Sequence, residues 1–370
     1  MSGGVDSSVA AVLLKEQGYD CVGVFMRVGA RADDRLAGGE TSGGRDTAAR
    51  SACCSASDAA DARAVAGRLG IPFYVLDFSQ EFEKLIEYFV DEYARARTPN
   101  PCVVCNARLK FGKLMRYADM LEAPYVATGH HARIVERDGQ PALARALDRQ
   151  KDQSYALFGI RRADLSRCLF PIGELSSKQE VRSIAARLGL PVHDKPESQE
   201  ICFVPDGDYR GLLRARRPQS QRAGEVRDLT GRLLGTHDGL ANFTIGQRHG
   251  LGIAVGTPMY VVRLDAQTNT VTLAPREALL SAGLIADQVN WLADPPPAGQ
   301  VRPAAVQIRY THPAAAGRIR RRADGSIEAR FAELQPAVTP GQAAVLYEED
   351  VVLGGGWIRE ALPPVAGPDD

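Results

Sequence analysis

The sequence predicts an α/β protein with a doubly wound parallel sheet at the N-terminus, a small mixed domain after it and a β-barrel-like domain at the C-terminus. Three observations carry that prediction. In the first half, short apolar strands alternate with amphipathic helices, the pattern of a parallel sheet covered by helices on both faces. After about residue 207 the helical period gives way to short β-rich runs split by Gly, Asp and Asn turns. The length, 370 residues, exceeds what one core organises, so two or three domains are expected. Their boundaries fall at 1–207, 208–275 and 276–370.

The elements follow in order. MSGGVDSS reads as a loop, VAAVLLKEQGY as a helix and CVGVFMRV as a short strand. Residues 29–52 are rich in Gly, Ala and Asp with almost no large apolar side chain, and read as a mobile loop or lid. DAADARAVAGRLG is a helix ending at Gly70, IPFYVLDF a strand, and 80–96 a long helix. A helix at about 107–121 leads into the strand PYVATGHHARIV. KDQSYALF opens another helical region, and KQEVRSIAARLGL is an amphipathic helix stopped by Pro191. GEVRDLTGRLLGTHDG and TPMYVVRLDAQTNTVTLAP read as hairpins, and PPPAG punctuates the β-rich remainder.

Composition excludes several classes. No apolar run is long enough to cross a bilayer, and the N-terminus lacks the basic and apolar regions of an export signal. Seven cysteines, an odd number, argue for reduced thiols in a cytoplasmic protein rather than a disulfide framework. The net charge of zero predicts no nucleic-acid binding by itself. Arginines crowd at 214, 216, 217 and 222, and again at 318, 320, 321 and 322; by composition both runs read as solvated faces.

SGGVDSS has the makings of a phosphate cradle. Gly3 and Gly4 can turn backbone N–H groups inward, and the following helix offers its N-terminus to an anion. Ser2, Ser7 and Ser8 add hydroxyls. The lysine of a Walker A loop is absent, and Asp6 would repel bare phosphate, so a Mg²⁺ bridge is expected. A plain helix N-cap is the alternative.

NPCVVCN places Cys102 and Cys105 two residues apart, and Cys202 stands in SQEICFVPDGDY. Four readings stay open on spacing alone. Structural zinc would need Cys53 and Cys54 as well, and adjacent ligands fill two tetrahedral corners poorly. A thioredoxin-like pair would open a helix directly after a strand, which the Pro-rich approach does not match. Buried inert thiols are a third reading. The fourth is a nucleophile with a distant partner cysteine, or a cluster with three cysteine ligands. Cys21 and Cys168 read as core residues.

SGGVDSS resembles the PP-loop of the ATP pyrophosphatases, which adenylate a carbonyl oxygen and release pyrophosphate. That loop follows the first strand of its sheet, whereas this chain begins at the loop, so the first strand is expected to be truncated, with a late start assignment favoured over a sheet lacking that strand. TPNPCVVCNARLKFG, ATGHHARI, KDQSYALF, SQEICFVPDGDY and FTIGQRHGLGI together resemble the tRNA-uridine 2-sulfurtransferases (the tRNA-specific 2-thiouridylase, or MnmA, family), in order over essentially the whole chain.

The resemblance implies ATP-dependent sulfuration of the wobble uridine at C2, with the later domains gripping the anticodon arm of tRNA. It implies ATP with Mg²⁺, and a sulfur donor such as a cysteine desulfurase or relay protein. Cys202 matches the persulfide carrier and Cys105 its partner. Many members carry aspartate at the position of Cys102, whereas this chain has a third cysteine there, which opens a second mechanism with Cys102, Cys105 and Cys202 as ligands of a four-iron four-sulfur cluster. Met1, Ser2, Gly3, Gly4, Val5, Asp6 and Ser7 match the ATP loop, and Met26 and Gly129 match adenine and nucleotide contacts. Asn100, Pro101 and Cys102 match the segment beside the target base. Lys151, Asp152, Gln153, His130, Arg309, Tyr310 and Gln342 match tRNA contacts, with an interior histidine as the alternative for His130. The 318–322 run then reads as an RNA contact. Two rivals are a non-catalytic tRNA-binding protein of the same fold and another PP-loop ligase, such as argininosuccinate synthase, which has no use for Cys105 with Cys202.

Overall fold

The chain forms two compact units, one α/β and one dominated by antiparallel sheet. The computed structural model describes residues 1–28, 56–196, 201–204, 207–253 and 256–364. The expected loop at 29–52, with Cys53 and Cys54, lies outside the described residues. One unit comprises 1–86 and 104–208, and the other 87–103 and 209–370.

In the first unit, helix α1 (Val5–Glu16) carries Asp6 in its first turn and Lys15 in its last, both matching the helix dipole. Strand β1 (Gly23–Arg27), helix α2 (Ala56–Leu69) and strand β2 (Phe73–Asp77) follow, and β1 pairs with β2 in parallel. Helix α3 (Ser79–Ala94) precedes helix α4 (Pro101–Cys105). The helix expected at 107–121 is instead an eight-residue π-helix (Asn106–Lys113) followed by α5 (Leu114–Met120). The strand expected at PYVATGHHARIV is broken. Its start is β3 (Val126–Ala127), and its end is β4 (Ala132–Arg137), which forms an antiparallel hairpin with β5 (Gln140–Arg145). Strand β6 (Cys168–Leu169) pairs with β3 in parallel. The parallel sheet is thus present as two separate pairs, β1-β2 and β3-β6.

Helix α6 (Lys178–Arg187) starts on a Ser177 N-cap, whose Oγ accepts from the Glu180 N–H, and the Glu180 carboxylate accepts from the N–H and Oγ of Ser176 just before it. Its Val181 and Ala185 pack with Val5, Val9 and Val12 of α1 and Val65 of α2. That core fixes the loop end of α1 against the start of α6.

The second unit takes in the end of α3 and the start of α4 and continues with α7 (Tyr209–Arg216) and strands β7 (Gly224–Asp228), β8 (Leu233–His237), β9 (Tyr260–Asp265) and β10 (Thr270–Ala274). Both expected hairpins form, and β10 joins them by pairing in parallel with β7. Val226, Leu240, Phe243, Val261 and Val271 form their shared core. Then come β11 (Leu280–Trp291), β12 (Val301–Gln307), β13 (Ala315–Arg321), β14 (Ile327–Pro336), β15 (Ala343–Glu348) and β16 (Val351–Leu362). They run in the order β11-β14-β13-β12-β15-β16, and β16 pairs back onto β11, closing a barrel without free edges. Leu284, Val306, Ile319, Leu346 and Ile358 fill it.

Candidate functional site

The loop ahead of α1 is built from small residues for steric reasons. Gly3 has φ +74°, and a Cβ there would lie 2.3 Å from the Asp58 carbonyl oxygen of α2. Gly4 occupies the N-cap and offers no side chain to the first-turn N–H groups. Hydroxyls shape the turn: Ser2 N–H donates to Ser7 Oγ (3.0 Å), and Ser7 and Ser8 Oγ donate to the Gly4 carbonyl (3.2 and 2.9 Å). Met1 donates through its amino group to the Val24 carbonyl, and Val5 is buried in the α1 core. Met26 is half-buried on β1 opposite Leu76. Gly129 serves the loop directly, since a Cβ there would sit 2.5 Å from Ser7 N and 2.6 Å from the Asp6 carbonyl carbon.

Two lysines that motif reading missed converge on this loop. Lys178 Nζ donates to both carboxylate oxygens of Asp6 (2.6 and 2.7 Å). Lys195 Nζ donates to Asp58 (2.6 Å), Asp61 (2.6 Å) and the Gly3 carbonyl (2.9 Å). Partial burial alone would raise the Asp6 pKa, but the adjacent His131 ring and the Lys178 ammonium more than reverse this and hold it below the usual carboxylate range. Burial pulls Lys195 down, yet its two carboxylates raise it overall. His131 is 3% exposed, its Nε2 lies 3.4 Å from Asp6 Oδ1, and neither ring nitrogen has a hydrogen-bond partner among the described residues. Its backbone is pinned by Gln153, whose side-chain oxygen accepts from His131 N–H (2.9 Å) and whose N–H donates to the His131 carbonyl (2.7 Å). The glycine cradle, the helix N-terminus and an ionised Asp6 suit a nucleotide triphosphate with a divalent cation, a metal that takes one or two carboxylates plus phosphate oxygens.

The cysteine segment is shaped by its caps. Asn100 Oδ1 accepts from Val103 N–H (3.4 Å) at the start of α4, and buried Pro101 takes a position where the missing N–H costs nothing. The three-residue spacing puts exposed Cys102 and half-buried Cys105 on one side of the turn. Cys105 leads directly into the π-helix, whose Asn106 Nδ2 donates to the Ala156 carbonyl (3.0 Å). Cys202 is half-buried, beside Phe203, which meets Phe82 edge-on. Among the described residues, no three His, Cys, Asp or Glu side chains gather as a metal would require. The reading of Cys102, Cys105 and Cys202 as cluster ligands therefore gains no support from the described residues. Burial and the charge of Asp164 push the Cys168 thiol up to about 12, and burial raises Cys21, in line with inert thiols.

Several expected RNA contacts are turned inward. His130 is enclosed: Lys110 Nζ can only donate to its Nε2 (3.3 Å), so Nδ1 carries the proton and donates to Thr128 Oγ1 (2.7 Å). Burial, then the Lys110 charge and His131, push its pKa well below the usual value, so in this fold it is a neutral interior histidine. Asp152 is likewise committed. Its carboxylate accepts from Arg145, from the Ala146 and Ser154 N–H groups and from Ser154 Oγ, so it shapes the turn. Gln342 Nε2 donates to the Thr98 and Pro99 carbonyls (both 3.1 Å), which makes it a strap for the approach to Cys102.

Others face outward. Lys151 is half-buried, and Tyr310 is 46% exposed. Buried Gln307, which motif reading missed, donates to the carbonyls of Arg309 (3.1 Å) and Tyr310 (3.0 Å) and fixes the turn that displays them. Arg318 and Arg320 are exposed on β13, and Glu328 accepts from both Arg320 and Arg330. In the other arginine run, Arg216 and Arg217 are spent on Glu87, and Arg217 also on Asp91.

No described helix is long and apolar enough to cross a membrane. Three family models cover the chain: a tRNA methyl transferase HUP domain over residues 1–206, a tRNA methyl transferase PRC-barrel domain over 212–275 and an aminomethyltransferase beta-barrel domain over 281–358. A tRNA-specific 2-thiouridylase MnmA of Rhodopirellula baltica is 46% identical over 99% of this chain and 96% of its own length. The protein of that name from Geotalea uraniireducens is 48% identical over 98% and 94%, and that from Clostridium perfringens 44% over 98% of each. By these matches along its whole length, the chain belongs to the tRNA-specific 2-thiouridylase family.

Proposed function

We propose that the protein is an ATP-dependent tRNA-uridine 2-sulfurtransferase acting in the cytoplasm, where thiols stay reduced. The observation that carries the reading is that one unit holds both an anion cradle with an ionised carboxylate and two accessible thiols, Cys105 and Cys202. ATP is a substrate. The uridine O2 attacks the α-phosphorus, pyrophosphate leaves, and the C2–O bond now ends in a good leaving group. A divalent cation held by Asp6 would draw negative charge off the phosphates.

Sulfur arrives as a persulfide on Cys202, formed at the expense of a donor such as a cysteine desulfurase or relay protein. The terminal sulfur attacks C2 and AMP leaves, joining C2 to Cys202 through two sulfurs. The Cys105 thiolate then attacks the Cys202 sulfur. The S–S bond to the base breaks, its electron pair stays on the transferred sulfur as the thiocarbonyl, and a Cys105–Cys202 disulfide forms. A cellular dithiol restores both thiols. Cys102, one turn from Cys105, stands beside the base. The anticodon arm is held by Arg309, by Tyr310 stacking on a base, and by Arg318 and Arg320 on phosphate.

The test is thiolation of a tRNA transcript with ATP and a persulfide donor, using wild type, Cys202→Ala and Cys105→Ala, with iron and sulfide assayed on the same preparations. Wild-type turnover lost in both variants is expected. Retained turnover in Cys202→Ala sinks the persulfide route, and pyrophosphate release without thiolation in wild type points to another PP-loop ligase.

A further inference from the structure

The loop has the shape for phosphate but lacks a lysine of its own, and its Asp6 carries the wrong charge for phosphate. The fold supplies the missing cation from a residue 172 positions away, Lys178 at the start of α6. The position is electrostatically poor for a cation, because a helix N-terminus is already positive. Lys178 is nevertheless anchored there: its N–H donates to Asp148 Oδ2 (3.0 Å), and the Ser177 cap and the Glu180–Ser176 bond hold the turn around it. Its side chain is 13% exposed and reaches Asp6 with both bonds short. Beside the pair stands His131, a buried ring aimed at Asp6 with neither nitrogen satisfied, which is a costly arrangement unless a partner becomes available.

We propose that Lys178 is the phosphate-binding lysine of this loop and that it changes partner when nucleotide binds: Lys178 leaves Asp6 for a phosphate oxygen, Asp6 would then hold the divalent cation that accompanies the nucleotide, and the His131 Nε2–H donates to the Asp6 carboxylate. The inference rests on the nucleotide reading of the loop and deepens it. It makes Lys178 and the divalent cation competitors for one carboxylate while both serve the same nucleotide. A counterion with a purely structural role has no such double effect.

Calorimetric titration with ATP·Mg²⁺ and with AMP, together with Mn²⁺ binding in the absence of nucleotide followed by electron paramagnetic resonance, separates the possibilities. Removing one charge-assisted phosphate contact in Lys178→Gln should weaken ATP·Mg²⁺ by about 10- to 100-fold and leave AMP, which lacks the β- and γ-phosphates, within about 2-fold. The same variant should bind Mn²⁺ more tightly than wild type, because Asp6 has lost its competitor. ATP and AMP weakened together, or Mn²⁺ bound no more tightly, overturns the proposal. Because Lys178→Gln strands the Asp6 charge, Asp6→Asn is compared with Asp6→Asn/Lys178→Gln as well. The double variant has no stranded charge and must still bind ATP more weakly than Asp6→Asn alone. Wild type that binds neither nucleotide overturns the parent reading and this one with it. Wild type that binds ATP while Lys178→Gln loses nothing overturns this one alone.

Discussion

Replacing Gln342 by Met tests whether that residue grips RNA or the protein itself. Its amide donates to the carbonyls of Thr98 and Pro99, both at 3.1 Å. A third bond runs from Thr98 N–H to the Pro340 carbonyl (2.9 Å). Between them Gly341 has φ +91°, and a Cβ there would be 2.8 Å from the Thr98 carbonyl oxygen, so the strap needs glycine at this point. Methionine keeps the volume of glutamine and deletes two of the three bonds. At about 1 kcal/mol net for each neutral hydrogen bond, the loss is about 2 kcal/mol, reduced where water reaches the half-buried carbonyls. For a unit of this size, about 2–4 °C per kcal/mol gives a fall of roughly 4–8 °C in Tm. Differential scanning calorimetry measures it, and the alkylation rate of Cys102 should rise as the approach to α4 loosens. The reasoning fails if melting and alkylation are unchanged while tRNA affinity drops, because Gln342 would then be an RNA contact.

Three further outcomes follow. Gly129→Ala would drive a methyl group into the backbone of Asp6 and Ser7, so it should cost about 1–3 kcal/mol and abolish measurable ATP binding; unaltered affinity refutes the packing argument. His130 stays neutral in the fold, while the unfolded chain takes up a proton below about pH 6.5, so stability rises with pH; the term is about 1.4 kcal/mol lost at pH 5.5 relative to pH 7.5, and it should be missing from His130→Gln in denaturant titrations at the two pH values. Arg318→Ala with Arg320→Ala should lower the salt slope of tRNA binding by about 1–2, and an unchanged slope returns this barrel face to solvent.

What the sequence revealed about the fold depended on how local the cause was. The hairpins at 224–237 and 260–274 are legible because turn residues separate runs of β period. The π-helix is not, because no periodicity marks an i→i+5 turn. What specifies it is close packing, with a Cβ at Gly112 2.9 Å from the Ala107 carbonyl oxygen and one at Gly159 2.8 Å from Ala107 Cβ. The segment VATGHHARI has strand composition from end to end, yet it must pass the loop backbone at Gly129, and that detour splits it. In the site, the loop and the cysteine pair are continuous segments and can be read directly. Lys178 and Lys195 act on backbone or carboxylates placed by other elements, so no motif announces them. Of these, Lys178 alone left a local trace, a cation at the first position of a capped helix where the dipole disfavours one.

That misplaced charge explains how the loop can hold an aspartate where phosphate is expected. Asp6 sits in the first turn of α1, where the dipole favours an anion, and a phosphate would claim the same field. Left alone, the carboxylate would compete with the ligand. Lys178 converts the competition into an exchange, because the cation that neutralises Asp6 is the one a phosphate would attract. Around the same turn Lys195 is committed to two carboxylates and a carbonyl, so its position is over-determined and it acts as a fixed clamp on Gly3 and α2. Of the two lysines, one therefore holds the cradle rigid and the other can change partner without disturbing it. A loop built this way favours nucleotide that brings its own divalent cation, since only then does Asp6 gain a new partner as Lys178 departs.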